Sequence, residues 1–390
     1  VSYQTAWLKA NHPVEFMAGV MNCDIHLTDK LAVYADEVRR GLGIEIVPPC
    51  VNRSGAVFTV ENGKILYALG ALKNVGVEAM RLIVEARGDK PFTTLFDLAR
   101  RADLKRVGKR PLEMLARAGA FDQLDPNRRR VLDSLDRLVQ WSAAVHEARE
   151  SSQVSLFGEG GEDLPEPRLA GTPDWLPAER LTEEHAAVGF YLSGHPLDDY
   201  MGPLKRRGVV TYSETEERAR RGPHIAKIAG VVAARQERKS ARGNRFAFVQ
   251  LSDPSGFYEM VVFSEVLEKT RAHLEAGNKV IVTVEATMEA DQMKLLARNV
   301  APIDASISAP GQSYGLRIFL DAPEAVPHVQ ELIARMRAEA TPARGPLSLC
   351  LIAPDFPGEV DIDLGDDFPV SPQFKSALKS QPGVVTVEEV

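Results

Sequence analysis

Gln153-Val154-Ser155-Leu156-Phe157-Gly158 places two adjacent large apolar side chains where a charged helical stretch, HEARESS, gives way to a segment of Gly, Pro and acidic residues. Such a segment has little with which to cover Leu156 and Phe157, and an uncovered apolar pair there suits a partner's pocket. Each side chain, fully buried, would contribute roughly 1.5–3 kcal/mol, while Gln153 could offer its amide to the pocket rim. The competing reading is that both side chains fold back onto their own domain.

Two stretches could seat phosphate. Lys73-Asn74-Val75-Gly76 precedes VEAMRLIVEA, and Lys105-Arg106-Val107-Gly108 precedes KRPLEMLARA. A glycine turn that opens a helix directs unpaired backbone N–H groups outward, and two in tandem could follow a DNA backbone without reading its bases. Lys105, Arg106, Lys109 and Arg110 reinforce the second turn, whereas Glu78 opposes a phosphate at the first. Asn74 tolerates a left-handed conformation better than Arg106 does. A helical hairpin packed for stability, with a solvated basic face, fits the same pattern.

The stretch from Glu237 to Arg245 carries Arg238, Lys239, Arg242 and Arg245 and runs into Phe246 and Phe248. Cations beside rings suit a single strand, the rings stacking on bases and the cations following phosphates. Phe246 and Phe248 share one face of a strand, so that face either binds or is core, and core is the expected place for Phe248.

For catalysis the sequence offers little. Asp361, Asp363, Asp366 and Asp367 could collect around Mg²⁺, but alternation along a strand and a following turn explains them more simply. No Walker loop, GxSxG, HExxH or Rossmann fingerprint is present. His195, in GFYLSGHP, has no base beside it in the sequence and is expected to cap or pack. Cys23, Cys50 and Cys350 lie far apart without a CxxC, which indicates neither a zinc site nor a disulfide framework. No catalytic and no metal-binding residue is therefore assigned, and a reducing cytoplasm is expected.

The elements that must position these residues follow from periodicity. Residues 1–45 read as helices, with Trp7, Leu8, Phe16, Met17, Val20 and Met21 as an early apolar set. Thr28 is the expected N-cap of the next helix, Leu31, Tyr34, Ala35 and Val38 its apolar face, and Gly41 its stop. IEIVPPCVNRSGAVFTVENGKILYALG is strand-like, with Pro-Pro and Asn-Gly punctuation. Helical spacing returns over 71–150, residues 158–180 read as an exposed linker, and a helical segment follows near 182–206. Residues 223–303 alternate apolar and polar in five runs with one helical insert after the third, which is the strand order of an OB barrel. Residues 313–390 read strand, helix, two strands, helix, strand, a compact α+β unit.

The 390 residues predict two to four domains, and the formal net charge of −7 argues against a histone-like polyanion binder. The charge is uneven. Residues 81–130 hold 13 Lys and Arg against 7 Asp and Glu, whereas residues 351–390 hold 8 acidic residues against 2 Lys. One segment thus suits nucleic acid and another suits something else. No run of about 18 apolar residues exists to span a membrane. The opening VSYQTAWLKANHPVEF has neither an initiator Met nor a signal-peptide order, and Val1 reads as a cut inside a longer chain.

At these stretches the chain resembles the C-terminal third of the bacterial replicative DNA polymerase III alpha subunit family, the C-family DNA polymerases. The carrying segments, in the family's order, are YQTAWLKANHPVEFMAGVMN, EIVPPCVN, LYALGALKNVGVEAMRLIVEAR, LFDLARRADLKRVGKRPLEMLARAGAFD, QVSLFG, GFYLSGHP and RGNRFAFVQLSDPSGFYEMVVF. The resemblance implies a multidomain α+β fold. Residues 1–60 would be the end of the fingers region and 61–157 a tandem helix-hairpin-helix domain binding duplex DNA and the clamp. A linker would follow at 158–180, a helical connector at 181–222, an OB-fold β-barrel at 223–305, and a small C-terminal domain like the one that binds the clamp-loader tau subunit at 313–390.

Residue by residue, the resemblance implies sliding-clamp (beta subunit) binding by Gln153, Ser155, Leu156 and Phe157. Duplex DNA would meet Lys73, Val75, Gly76, Lys105, Arg106, Gly108, Lys109 and Arg110, and single-stranded template would meet Arg238, Lys239, Arg242, Arg245 and Phe246. The clamp motif and terminal domain separate this chain from the family's error-prone paralogue. The family's catalytic aspartates, which hold two Mg²⁺ ions, belong to a palm upstream of Val1. This chain alone is therefore expected to be inactive and without a cofactor, to bind DNA, clamp, tau and other holoenzyme subunits but no membrane, and to lie in the bacterial cytoplasm. A stand-alone DNA-repair scaffold with helix-hairpin-helix and OB modules is the alternative.

Overall fold

Local signals set most element boundaries in the first of two units, Val1–Ser193 and Gly194–Val390. The computed structural model describes residues 2–150, 164–240, 243–290, 292–303, 315–337, 344–352 and 359–390. Helix α1 (Ser2–Asn11) is followed by α2 (Pro13–Cys23), which starts on a proline that needs no N–H partner there. The expected apolar set divides. Met17 and Met21 are buried, but α1 buries no residue and leaves Trp7 and Leu8 exposed. In α3 (Thr28–Asp36) Thr28 is not the N-cap. Leu27 holds that place without a side-chain bond, and Thr28 is the first helical residue, its Cγ2 packed close against Gly189. Leu31 and Ala35 of α3 are buried, and the chain runs on through a π turn, Glu37–Gly41, that buries Val38.

Strands β1 (Ile46–Val47), β2 (Thr59–Glu61) and β3 (Lys64–Leu66) form a small sheet in the order β1-β3-β2. Asn62 and Gly63 turn between β2 and β3 at φ 50° and 74°, the paired left-handed residues that a two-residue hairpin requires. Helices α4 (Val77–Arg87), α5 (Leu95–Arg101), α6 (Leu104–Val107), α7 (Lys109–Arg117), α8 (Arg128–Glu150) and α9 (Pro177–Val188) complete the unit. One core joins them, reaching from Met17 to Leu192 and including Tyr67, Met80, Ile83, Leu98, Leu104 and Leu115. Residues 164–176, inside the expected linker, carry no regular structure yet are tied to α8. The Ala170 N–H donates to Ser134 Oγ at 2.8 Å, and Arg137 Nη1 donates to the Arg168 carbonyl at 2.9 Å.

In the second unit α10 (Met201–Arg206), β4 (Val209–Val210) and α11 (Tyr212–Ala219) lead into a closed barrel. Its strands are β5 (His224–Lys239), β6 (Arg245–Asp253), β7 (Gly256–Phe263), β8 (Lys279–Glu289) and β9 (Gln292–Pro302), with α12 (Ser264–Thr270) after the third. The order β5-β6-β7-β9-β8 closes through β5 and β8, the OB topology expected from the sequence. The long β5 serves both neighbours, pairing with β8 along His224–Val231 and with β6 along Val231–Lys239. Register shifts at Val232/Ala234 and Thr283/Val284 supply the bends that closure needs.

The C-terminal portion is β10 (Leu316–Leu320), α13 (Val326–Arg337), β11 (Arg344–Gly345), β12 (Leu347–Ile352), β13 (Glu359–Asp363), β14 (Phe368–Pro369), α14 (Pro372–Lys379) and β15 (Val384–Glu389). Its sheet has the order β13-β12-β10-β15. Ser371 caps α14 by accepting from the Phe374 N–H at 3.1 Å. The expected strand-helix-strand-strand-helix-strand order holds, with two short strands added.

Candidate nucleic-acid interface

The barrel interior takes alternate residues of β6: Ala247, Val249 and Leu251 are fully buried, so Phe246 and Phe248 face outward. The expectation that Phe248 is core is therefore wrong. Three small-to-medium aliphatic side chains fill the barrel at this level and leave both rings to the other face. There the rings meet edge to face, 5.5 Å between centroids, and the Arg238 guanidinium lies 5.2 Å from the Phe248 ring. Phe263 stands opposite Phe246 across β6 and β7 and is 54% exposed. It was not among the expected residues, although the alternation Tyr258, Met260, Val262 inward and Val261, Phe263 outward carried the signal.

At the end of the β5–β6 ribbon Lys239 pairs directly with Arg245, and Arg238 with Phe246. Like charges placed opposite one another repel, and an anion laid across them would relieve that cost. Gly243, at φ 83°, makes the turn. Arg242 lies outside the described residues, as do Gln153, Ser155, Leu156 and Phe157.

In the first unit the two glycine turns differ. Gly76 is the N-cap of α4, Asn74 takes φ 59°, and the Val75 side chain is buried. Lys73 is turned to α9: its N–H donates to the Ala187 carbonyl at 2.8 Å, and its Cε crowds Gly189. Gly189 ends α9 at φ 98°, where a Cβ would collide with Thr28 Cγ2 and Lys73 Cε. Lys73 is thus a cation at a helix C-terminus. Burial, and then the Lys73 charge, hold the His185 imidazole below its ordinary pKa.

The second turn is shorter than its sequence suggests. Lys105 and Arg106 are helical, in α6, because the Asp103 carboxylate caps that turn by accepting from both of their N–H groups at 3.0 and 3.3 Å. Only Gly108, at φ 94°, breaks the chain before α7. Pro111 occupies the third position of α7, which leaves the Lys109 and Arg110 N–H groups as the outward donors. Ser142, buried on α8, pins this hairpin by accepting from the Leu104 N–H at 3.1 Å and donating to the Ala99 carbonyl at 2.8 Å.

Charge is distributed unevenly. Lys109 is held by Asp136 at 2.7 Å, and that hydrogen bond raises its pKa. Lys105 faces Glu147 at 3.4 Å. Arg106 and Arg110 are exposed, with no ion-pair partner among the described residues. Other basic residues of the 81–130 stretch serve the fold. Arg87 donates to the Val51 and Ser54 carbonyls, Arg101 to the Ala86 and Lys90 carbonyls, and Arg130 forks onto Asp125.

The remaining polar candidates are structural. His195 Nδ1 accepts from the Leu197 N–H at 3.2 Å, which leaves Nε2 to donate to Ser252 Oγ at 3.1 Å. Arg317 forks onto Asp361 at 3.0 and 2.7 Å, Arg344 holds Asp367, and Asp363 accepts from the Gly365 N–H. Among the described residues no group of three or more His, Cys, Asp or Glu could hold a metal ion, and no helix is long and apolar enough to cross a membrane.

Comparison with known proteins matches residues 43–131 to the helix-hairpin-helix motif and residues 226–303 to an OB-fold nucleic acid binding domain. DNA polymerase III subunit alpha of Caulobacter vibrioides is 42% identical over 100% of this chain and 34% of its own length. The subunits of that name from Vibrio cholerae and Escherichia coli K12 are 34% and 35% identical, each over 78% of this chain and 27% of its own length. A mitochondrial single-stranded DNA binding protein of S. cerevisiae, Rim1, matches 20% of this chain and 92% of its own at 21% identity and a TM-score of 0.18, too distant to add to the barrel's own topology. The chain spans about a quarter to a third of the length of the curated relatives it matches. Along its whole length, therefore, it belongs with the C-terminal part of the DNA polymerase III alpha subunit family.

Proposed function

We propose that this chain is the portion of a DNA-directed DNA polymerase that holds DNA and couples the enzyme to its partners during chromosomal replication in the bacterial cytoplasm. The observation that carries the reading is the barrel's outer face, where Phe246, Phe248 and Phe263 stand beside Arg238 and a Lys239–Arg245 pair. Rings stack on unpaired bases whatever their sequence, and the cations follow the phosphates. The helix openings at Gly76 and Gly108 would meet duplex backbone through N–H groups and through Arg106 and Arg110. Nucleotidyl transfer and its Mg²⁺ would belong to another part of the parent polymerase. The carboxylates of this chain that come nearest to such a set, Asp361 and Asp367, are taken by arginines.

Gln153, Ser155, Leu156 and Phe157 would dock in the sliding clamp, and the acidic C-terminal domain would meet the clamp-loader tau subunit and through it the rest of the holoenzyme. Titrating the whole chain with single-stranded and duplex oligonucleotides tests the DNA reading. Single strands should bind through the barrel face and lose affinity in Phe246→Ala/Phe263→Ala, and an unchanged affinity would overturn the assignment. Calorimetric titration with the clamp, alongside Leu156→Ala/Phe157→Ala, tests the second interaction: binding should vanish in the variant.

A further inference from the structure

The C-terminal sheet ends in a strand whose core is unfinished. Two rows of apolar side chains cross it in register. Ile318 pairs with Leu349 and Leu349 with Ile362, while Leu320 pairs with Leu351 and Leu351 with Val360. Ile318 and Leu320 are buried, yet at β13 the same rows emerge with Ile362 47% and Val360 38% exposed. β13 pairs with β12 alone among the described strands, so its other edge presents unpaired backbone N–H and C=O groups. Between these apolar positions Asp361 and Asp363 alternate onto the opposite face, beside Cys350 and Ser348.

We infer that the free edge of β13 takes up an extended segment of a partner protein in which apolar and basic residues alternate. Such a segment would add a fifth strand. Its apolar side chains would prolong the two rows over Val360 and Ile362, and a basic side chain would face Asp363, Asp361 being already held by Arg317. Charge selects the occupant. A second copy of this chain, pairing β13 with β13, would set Asp363 opposite an acidic residue of the same strand, so the edge rejects itself and admits a cationic strand. The inference rests on reading this domain as a protein-docking domain and names its mode and its ligand chemistry.

The test uses the full chain and a short synthetic peptide alternating lysine and valine, with a peptide of the same composition but segregated lysine and valine blocks as control. The alternating peptide should bind, should slow hydrogen exchange of the β13 amides, and should weaken about tenfold or more in Ile362→Lys, the loss expected for one buried aliphatic side chain. Asp363→Lys should weaken it as well. Both substitutions sit at exposed positions, and an unchanged melting temperature shows that each variant folds. Equal binding of the blocked peptide, indifference to both variants, or dimerisation of the chain through β13 would overturn the inference. A parallel titration with the tau subunit separates the two levels. Tau binding that ignores Ile362→Lys leaves the docking domain standing and removes the edge mode. No tau binding to the unaltered chain removes the named partner, while the peptide still decides the edge.

Discussion

At the scale of single residues, one of several unsatisfied buried groups offers a direct test. The Tyr67 hydroxyl is buried with no hydrogen-bond partner among the described residues, beside Phe58 and Phe190, and burial pushes its pKa well above the ordinary phenol value. A buried hydroxyl without a partner forfeits its hydration for nothing. Tyr67→Phe is therefore expected to raise stability by ~1 kcal/mol, seen as a higher denaturant midpoint with an unchanged slope; a lower midpoint would mean that a water or ligand uses that hydroxyl. On the barrel face, single Ala replacements of Phe246, Phe248 or Phe263 should each weaken single-strand binding by about 1–3 kcal/mol if each ring stacks on a base. Quenching of a labelled oligonucleotide would measure it. Phe263→Ala is the sharper trial, because that ring is exposed and its removal leaves the barrel interior untouched.

At the scale of elements, the α6–α7 hairpin should act through two arginines rather than through the whole basic stretch. Lys109 already has Asp136, whereas Arg106 and Arg110 are exposed without such a partner among the described residues. Arg106→Ala/Arg110→Ala should lower duplex affinity uniformly across sequences and reduce the salt slope by about 1 for each phosphate no longer neutralised. Lys109→Ala should do less, and a larger effect from Lys109 would reverse the assignment. The charge count over 81–130 could not separate these roles, because Arg87, Arg101 and Arg130 bind carbonyls or carboxylates of their own fold. Periodicity gave the barrel order and the C-terminal order because strands alternate with period 2 and the inserted helix does not. It failed at Phe248, since alternation says which residues share a face but not which face is inside. It failed also at Thr28 and at Lys105-Arg106. Capping there depends on which neighbour arrives: Gly189 packs against Thr28, and Asp103 caps α6.

At the scale of the whole molecule, each unit has an apolar core of its own. One cluster spans Met17–Leu192, two lie between Leu197 and Ile303, and further buried apolar residues run from Leu316 to Val387. Heat is then expected to unfold the chain in more than one step, with a calorimetric enthalpy that no single two-state transition fits. Acid should separate the steps, because the groups that sense it differ. In the first unit the folded pKa of His185 lies below its ordinary 6.5, through burial and then Lys73, so the unfolded state binds the proton more readily. That unit's stability should be complete above pH 6.5 and fall as the pH drops from 6.5 toward the folded value. In the second unit Glu389 loses some solvation, but Lys375 at 3.1 Å and Arg206 at 2.8 Å outweigh that loss and hold its carboxyl below the ordinary 4.5. Its contribution should persist above pH 4.5 and disappear only as the pH falls through the lower folded value. Moving from about pH 7.5 to about pH 5.5 should thus lower the first unit's transition and spare the Glu389 contribution, since only the histidine window is crossed. Calorimetry of His185→Gln at both pH values decides it: the variant should lose most of the first unit's shift, and a shift that persists unchanged would place the acid sensitivity on another group.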